Sequence, residues 1–319
     1  MRFSVIVPLY NKAPYVLRAL NSAVAQTFDD FELIIVDDGS TDESFEVASN
    51  FVDSKLDFRH KVTLIRQMNL GVSMARNNAA VIAKGDFLCF LDADDWWEPS
   101  FLTEMDTLLT VFPDGGIYGT SYYYVKSGRQ QVRVNINTGY FNYFQEYAKT
   151  LQMPLWTGAV CIPKSIFLEM NGFNPILKLG EDFDLWVRIA LKYKTVFLNK
   201  PLAYYNQDVD QATRGVGRLQ NPDTHMLWNL DYLSEEEGSS PDIKLLLDNL
   251  RVYGLMPYYL SDQYRTKAKG ELEKVDWKKQ PASIRREYTR PVWMLKMKHS
   301  FKRKASSVKQ FVIRLKYDS

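Results

Sequence analysis

Phe87-Leu88-Cys89-Phe90-Leu91 runs without a break into Asp92-Ala93-Asp94-Asp95. The apolar part is too short for a helix and too continuously apolar for a strand with one wet face. It reads as a strand buried on both sides. The same texture recurs at Phe3–Pro8, Phe31–Val36 and Val62–Arg66, and amphipathic stretches lie between these runs at Ala13–Gln26, Asp42–Val52 and Val72–Ala83. Strand, helix, strand at this spacing predicts right-handed βαβ units and an open α/β sheet. Such sheets bind ligands beyond the carboxyl ends of their strands. The acids after Leu91 therefore stand where a site is expected before any motif is considered.

Outward from this core the alternation fades. TSYYYV and QVRVNI, within residues 115–145, read as strands of a mixed extension, and Val196–Leu198 and Leu202–Tyr205 as further short strands. From about Pro222 the pattern turns helical. A chain of 319 residues with 46% hydrophobic and 24% charged residues is no disordered or collagen-like protein. Its two cysteines, Cys89 and Cys161, lie in apolar surroundings and read as core thiols, which excludes a Cys-rich zinc site or a disulfide framework. No run reaches the ~18 apolar residues of a spanning helix. The opening MRFSVIVPLYNK reads as a strand rather than a signal peptide, so a cytoplasmic protein is expected. Charge is uneven: from Arg265 onward there are 17 Lys and Arg against 5 Asp and Glu, and the rest of the chain carries an acidic excess.

On an extended chain Asp92 and Asp94 would point the same way. Carboxylates that close repel unless a proton or cation lies between them, and their hard oxygens suit Mg²⁺ or Mn²⁺. The plain alternative is a solvated acidic turn capping the next helix. After the second strand, Asp38 in Val36-Asp37-Asp38-Gly39-Ser40 is placed to bond a nucleotide's ribose or base, or else belongs to a Gly-assisted turn. After the first strand, Pro8-Leu9-Tyr10-Asn11 sets a ring where a base could stack, although a lone Tyr is more often a core or rim aromatic. Arg76, on the opening turns of the third helix, is a fork donor suited to phosphate or simply a solvated surface Arg.

VIVPLYN, DDGSTD, NLGVSMARN and FLDADD, in this order, resemble the inverting family 2 glycosyltransferases of the GT-A fold. TGAVCIPKSIFLEMNGFN and GEDFDLWVR resemble that family's acceptor-side half, so the likeness covers residues 3 to about 206. It implies an open, mostly parallel sheet flanked by helices over residues 1–215, with a nucleotide-sugar-binding half (1–120) and an acceptor-side half (121–215). A helical extension with a basic tail (216–319) would follow. The resemblance assigns Pro8, Tyr10, Asp38, Arg76 and Asp92 to the nucleotide-sugar, Tyr10 and Asp38 at the base. It makes Asp94, with Asp92, the ligand of Mn²⁺ or Mg²⁺, and Asp182 the general base beside Glu181. Asp182 also opens a helical run, where an N-cap is the plain alternative.

Many relatives carry a metal-binding His after the late strand. This chain reads Leu202-Ala203-Tyr204-Tyr205-Asn206-Gln207-Asp208 there, which leaves a third ligand open between Asn206, Asp208 and water. His60, His225 and His299 fall outside the match and read as surface or helix-face residues. Sugars pack their C–H faces on aromatic rings, which makes Trp156 and Trp97 the acceptor candidates and leaves Trp186 to the core.

The implied activity is inverting transfer from a nucleotide-diphospho-sugar, UDP favoured, to a saccharide or lipid-linked saccharide in cell-surface glycan synthesis. In the basic tail, Phe301, Val308, Phe311, Val312 and Leu315 recur among lysines and arginines at helical spacing. That is a peripheral membrane anchor or a helix packed on its own acidic body. No motif accompanies the charge to make nucleic acid a partner. A nucleotidyltransferase would want a Gly-rich phosphate loop and an oxidoreductase GxGxxG, both missing after the first strand. A catalytically degenerate saccharide-binding subunit is the remaining alternative.

Overall fold

The computed structural model describes residues 1–55, 57–209 and 219–298, and the chain forms two compact units, Met1–Asn229 and Leu230–Ser319. The basic-tail residues from Lys302 onward, and His299, lie outside the described residues.

The first unit is built on strands β1 (Phe3–Leu9), β2 (Phe31–Asp37), β3 (Val62–Arg66), β4 (Phe87–Phe90), β5 (Trp96–Trp97), β6 (Gly115–Lys126), β7 (Arg129–Arg133), β8 (Gly139–Phe141), β9 (Val160–Pro163) and β10 (Lys194–Asn206). Helices α1 (Ala13–Val24), α2 (Ser44–Ser54), α3 (Val72–Ile82), α4 (Phe101–Val111), α5 (Tyr143–Thr150), α6 (Lys164–Glu169) and α7 (Glu181–Lys192) connect them. The sheet runs β3-β2-β1-β4-β9-β6-β10-β5, with β7 beside β6 and β8 beside β10. Every residue of β1 and β2 is buried, as their unbroken apolar runs require. The neighbours β3, β2, β1 and β4 are parallel. Beyond them β9 lies antiparallel to both β4 and β6.

Chain order reverses around β1, which has β2 on one side and β4 on the other. That topological switch opens a crevice at the strands' carboxyl ends. The helices pack apolar stripes onto the sheet. In α1, which has Pro14 in its first turn, Val16, Ala19, Leu20 and Ala23 face inward at helical spacing. Cys89 and Cys161 are register partners across β4 and β9, both buried and free.

Two expectations need correction. The short strands at Val196–Leu198 and Leu202–Tyr205 are one strand, β10, which carries Pro201 through a pair of register shifts against β6. An irregular register is where a missing N–H costs no ladder bond. Second, Asp92 and Asp94 are not on extended chain. β4 ends at Phe90, and the Asp95 N–H closes a turn onto the Asp92 carbonyl at 3.0 Å.

Residues 219–229 belong to the first unit, where the Leu179 backbone pairs with His225 and the Met226 N–H donates to the Leu179 carbonyl at 3.1 Å. His225 is buried rather than on a surface, and its Nδ1 accepts the Leu227 N–H. The second unit is helical, with α8 (Ser234–Ser239), α9 (Pro241–Gly254), α10 (Met256–Leu260), α11 (Arg265–Glu273) and α12 (Ala282–Tyr288). Its core holds Leu246, Leu247 and Val252 together with a buried Arg251 that pairs with Glu237.

Candidate active site

A cleft of about 430 Å³ opens at the switch point. Pro8, Tyr10 and Lys12 come from the end of β1, Asp38 from the end of β2, Ala75 and Arg76 from α3, and Asp92 and Asp94 from the turn after β4. Lys178, Leu179, Glu181 and Tyr205 line it from the second half of the unit. Pro8 is buried in β1, whereas Tyr10 is 43% exposed, a ring at the mouth.

Asp38 is nearly buried and already bonded. Its Oδ1 accepts from Gln67 Nε2 at 2.7 Å and the Leu70 N–H at 2.8 Å, and its Oδ2 from the Gly71 N–H at 2.8 Å. A carboxylate offers about four acceptor positions, so Asp38 ties down the β3–α3 loop with three of them. Its neighbour Asp37 is fully buried and pairs with Arg66 at 3.1 Å, a structural role. Gly39, which follows the two acids, has φ +73°, and a Cβ there would come 2.9 Å from the Asn69 nitrogen. Only glycine lets these two loops meet.

Asp92 and Asp94, in the turn after β4, each meet a different cation. Asp92 accepts from Arg76 at 2.6 Å and Asp94 from the Lys12 ammonium at 2.7 Å. Arg76 is 4% exposed, lies over the Phe173 ring and also reaches Glu181 at 3.3 Å. Expected on the nucleotide, it lines the cleft and there forms a buried bridge between the acidic turn and α7. Arg18, stacked on Trp96, donates to the Asp94 main-chain carbonyl at 3.1 Å. Lys12 and Arg18 went unmarked in the sequence, although Lys12 directly follows the strand end that carries Tyr10.

Gly180 turns the chain into α7 with φ +83°. Glu181 then faces the cleft. Asp182 is not among the cleft-lining residues: its Oδ1 accepts the Phe183 N–H at 2.7 Å, and its Oδ2 lies 3.4 Å from the Thr157 hydroxyl. Burial, and then the negative charge of Glu181, push its carboxyl up to about 7, against the opposing pull of the Phe183 N–H and Arg76. Tyr122 and Tyr147 lie close enough to feel its charge.

The acceptor tryptophans are corrected. Trp97 is 3% exposed, stacks on Phe101 and donates its indole N–H to the Gly158 carbonyl at 2.7 Å. Trp156, 8% exposed, packs between Tyr122 and Tyr205. Both are core residues, as is Trp186, and none offers a free face. The two candidates for a third metal ligand also have other work. Both oxygens of Asp208 accept the Ser127 N–H at 2.8 Å, and the Asn206 side-chain oxygen accepts the Asp208 N–H at 3.0 Å. Among the described residues no cluster of three or more His, Cys, Asp or Glu side chains is set to hold a metal ion. Asp92 and Asp94 remain as a two-carboxylate set, and the ammonium seated on Asp94 shows that this carboxylate draws a cation.

A parallel β3-β2-β1-β4 sheet, continued by a mixed half and with its cleft at the switch point, is the GT-A glycosyltransferase fold. The chain belongs to the family described as glycosyl transferase family 2, whose profile matches residues 4–173. It is 30% identical over 215 residues to glycosyltransferase GlyA of Streptococcus pneumoniae, a match covering 64% of this chain and 30% of that protein. It is 39% identical over 218 residues to an uncharacterized glycosyltransferase of Nostoc, covering 64% of each. The chain thus spans less than two thirds of the length of these relatives. The structure of residues 1–349 of Staphylococcus aureus TarS, in complex with UDP-GlcNAc, superposes with a TM-score of 0.69 at 19% identity, covering 85% of this chain and 80% of that one. No helix among the described residues is long and apolar enough to cross a membrane.

Proposed function

We propose that this protein transfers a sugar, with inversion, from a nucleotide-diphospho-sugar to a hydroxyl of a saccharide or lipid-linked saccharide. The observation that carries the reading is the convergence of Tyr10, Asp38, Asp92, Asp94 and Glu181 on one cleft at the switch point. Tyr10 stacks on the base and the remaining acceptor position of Asp38 takes its ring N–H. A pyrimidine such as uracil offers that donor, and the UDP-GlcNAc complex of TarS supports UDP as the carrier. Asp92 and Asp94 lie where the diphosphate follows, and these two carboxylates would hold Mn²⁺ or Mg²⁺ together with the donor's own oxygens. Such an ion, when bound, offsets the charge that grows on the leaving diphosphate.

Asp182 is the base. It takes the proton of the acceptor hydroxyl as that oxygen attacks the anomeric carbon and the diphosphate departs on the opposite side. A base that works at neutral pH wants a pKa near 7, which favours Asp182 over Glu181, whose Oε1 is held by Arg76. To reach the hydroxyl the Asp182 carboxylate must turn into the cleft that Glu181 already lines. Thr157 and the Phe183 N–H orient the carboxylate. One displacement with one base inverts the centre and needs no nucleophilic carboxylate. The basic sequence from Lys296 onward suits an acceptor at an anionic membrane.

The test is turnover of a nucleotide-sugar panel with Mn²⁺. UDP-sugars are expected to be consumed, and Asp94→Ala to weaken nucleotide binding and abolish turnover. Neither transfer nor donor hydrolysis from any nucleotide-sugar, with Asp94→Ala binding UDP as wild type does, would overturn the reading.

A further inference from the structure

Asp94 and Asp92 are neutralised in different ways. The cation on Asp92 is clamped: Arg76 is 4% exposed, reaches Glu181 as well, and lies over Phe173. The cation on Asp94 is carried on a side chain with a fixed root, its ammonium also lying 6.0 Å from the centre of the Tyr15 ring. The Lys12 N–H donates to Ser44 Oγ at 2.7 Å. Next to it Asn11, at φ +50°, sends its side-chain oxygen to the backbone N–H groups of Thr41 at 2.8 Å and Asp42 at 3.3 Å. Above that root the side chain is a four-carbon stem ending in an ammonium with rotatable donors. The head lies 2.7 Å from Asp94 Oδ2, both side chains being mostly enclosed at 16% and 12% exposure. Lys12 lines the cleft between the Tyr10–Asp38 end and the acidic turn.

A divalent ion on Asp94 would meet that ammonium at contact range, and like charges at such a distance do not share one oxygen. An incoming diphosphate brings negative charge beside two carboxylates and needs cations of its own. Arg18 meets the Asp94 main-chain carbonyl at 3.1 Å, a contact separate from the Lys12 pair.

We propose that Lys12 is a diphosphate-binding residue that exchanges partners, its ammonium holding Asp94 when the cleft has no donor and turning to an anionic oxygen of the diphosphate when Asp94 is given over to a divalent ion. The proposal rests on the donor reading above and adds a competition to it. Lys12 opposes metal binding and favours diphosphate binding, so its removal moves the two affinities in opposite directions. A merely structural lysine would weaken both.

The experiment uses the full chain with Lys12→Gln and Lys12→Arg. Mn²⁺ affinity is read without nucleotide from the paramagnetic resonance of the free ion. Affinities for UDP and for inorganic pyrophosphate are read by titration calorimetry at saturating Mn²⁺. Lys12→Gln is expected to bind Mn²⁺ several-fold tighter and both anions about tenfold weaker, the size of one charge-assisted contact. Lys12→Arg is expected to restore wild-type direction in both. If Lys12→Gln leaves both affinities unchanged, or weakens both together, the exchange is wrong. A wild type that binds pyrophosphate but not UDP, with the opposed shifts intact, removes the nucleotide assignment and keeps the exchange. A wild type that binds neither anion overturns both.

Discussion

A carboxyl group that titrates near 7 instead of near 4 is only half ionised at neutral pH, and Asp182 is such a group. As a base it works deprotonated, so kcat/KM is expected to rise about tenfold per pH unit below 7 and to level off above it. Asp182→Asn should lower kcat by ~10²–10⁴ and remove this rise. Stability runs the other way. The folded pKa lies above the unfolded value, so between about pH 4 and 7 the folded state holds the extra proton and loses stability as pH rises. Asp182→Asn should therefore match wild type in thermal unfolding at pH 4 and exceed it at pH 8, by on the order of 1–4 kcal/mol. A pH–rate profile and melting curves at both pH values check the two signs. Asp38 makes a separate case. In Asp38→Asn an amide NH₂ replaces one oxygen and faces donors at Gln67, Leu70 or Gly71. Denaturant unfolding should show a loss of about 1–3 kcal/mol, and calorimetry a weaker hold on UDP.

Helix α7 begins where two constraints coincide. Gly180 has φ +83°, and a Cβ there would collide with the Met226 side chain. Gly180→Ala should cost about 1–3 kcal/mol and disturb the acids that follow it. Met226→Ala would remove the nearest contact and leave the Met226 Cβ 2.9 Å away together with the backbone strain. Gly180→Ala is therefore expected to cost less in a Met226→Ala background than in the wild type, read as melting temperature and turnover together. The parallel strands and the three helices between them were legible within a residue or two, because burial of β1, β2 and β4 writes itself as apolar runs, although β3, expected buried on both faces, is only half-buried at the sheet edge. Strand β10 was not: Pro201 reads as a break in one dimension, and only the register shifts against β6 accommodate it. The turn at Asp92–Asp95 stood in the sequence only as the alternative to an extended pair, since a rule about alternating side chains holds only while the chain stays extended.

Across the molecule, a ligand that binds only the folded state should raise the melting temperature in proportion to affinity and concentration. UDP at a hundred times its dissociation constant should contribute about 2.7 kcal/mol. The Mn²⁺-dependent part of that shift should vanish in Asp94→Ala, as thermal scans with and without the ion would show. The order of short strands and the acids at their ends is local information, carried by hydrophobic period and turn chemistry, and it led to the fold and to Asp38, Asp92 and Asp94. Which cation meets which acid is long-range information. Lys12 and Asp94 are 82 positions apart, and Arg76 and Glu181 are 105 apart. The burial of Trp97 and Trp156, the elevated pKa of Asp182 and its place outside the cleft lining belong to that second kind. Each is set by what packs around a side chain once the sheet has closed, and a linear pattern of residue types holds no record of it.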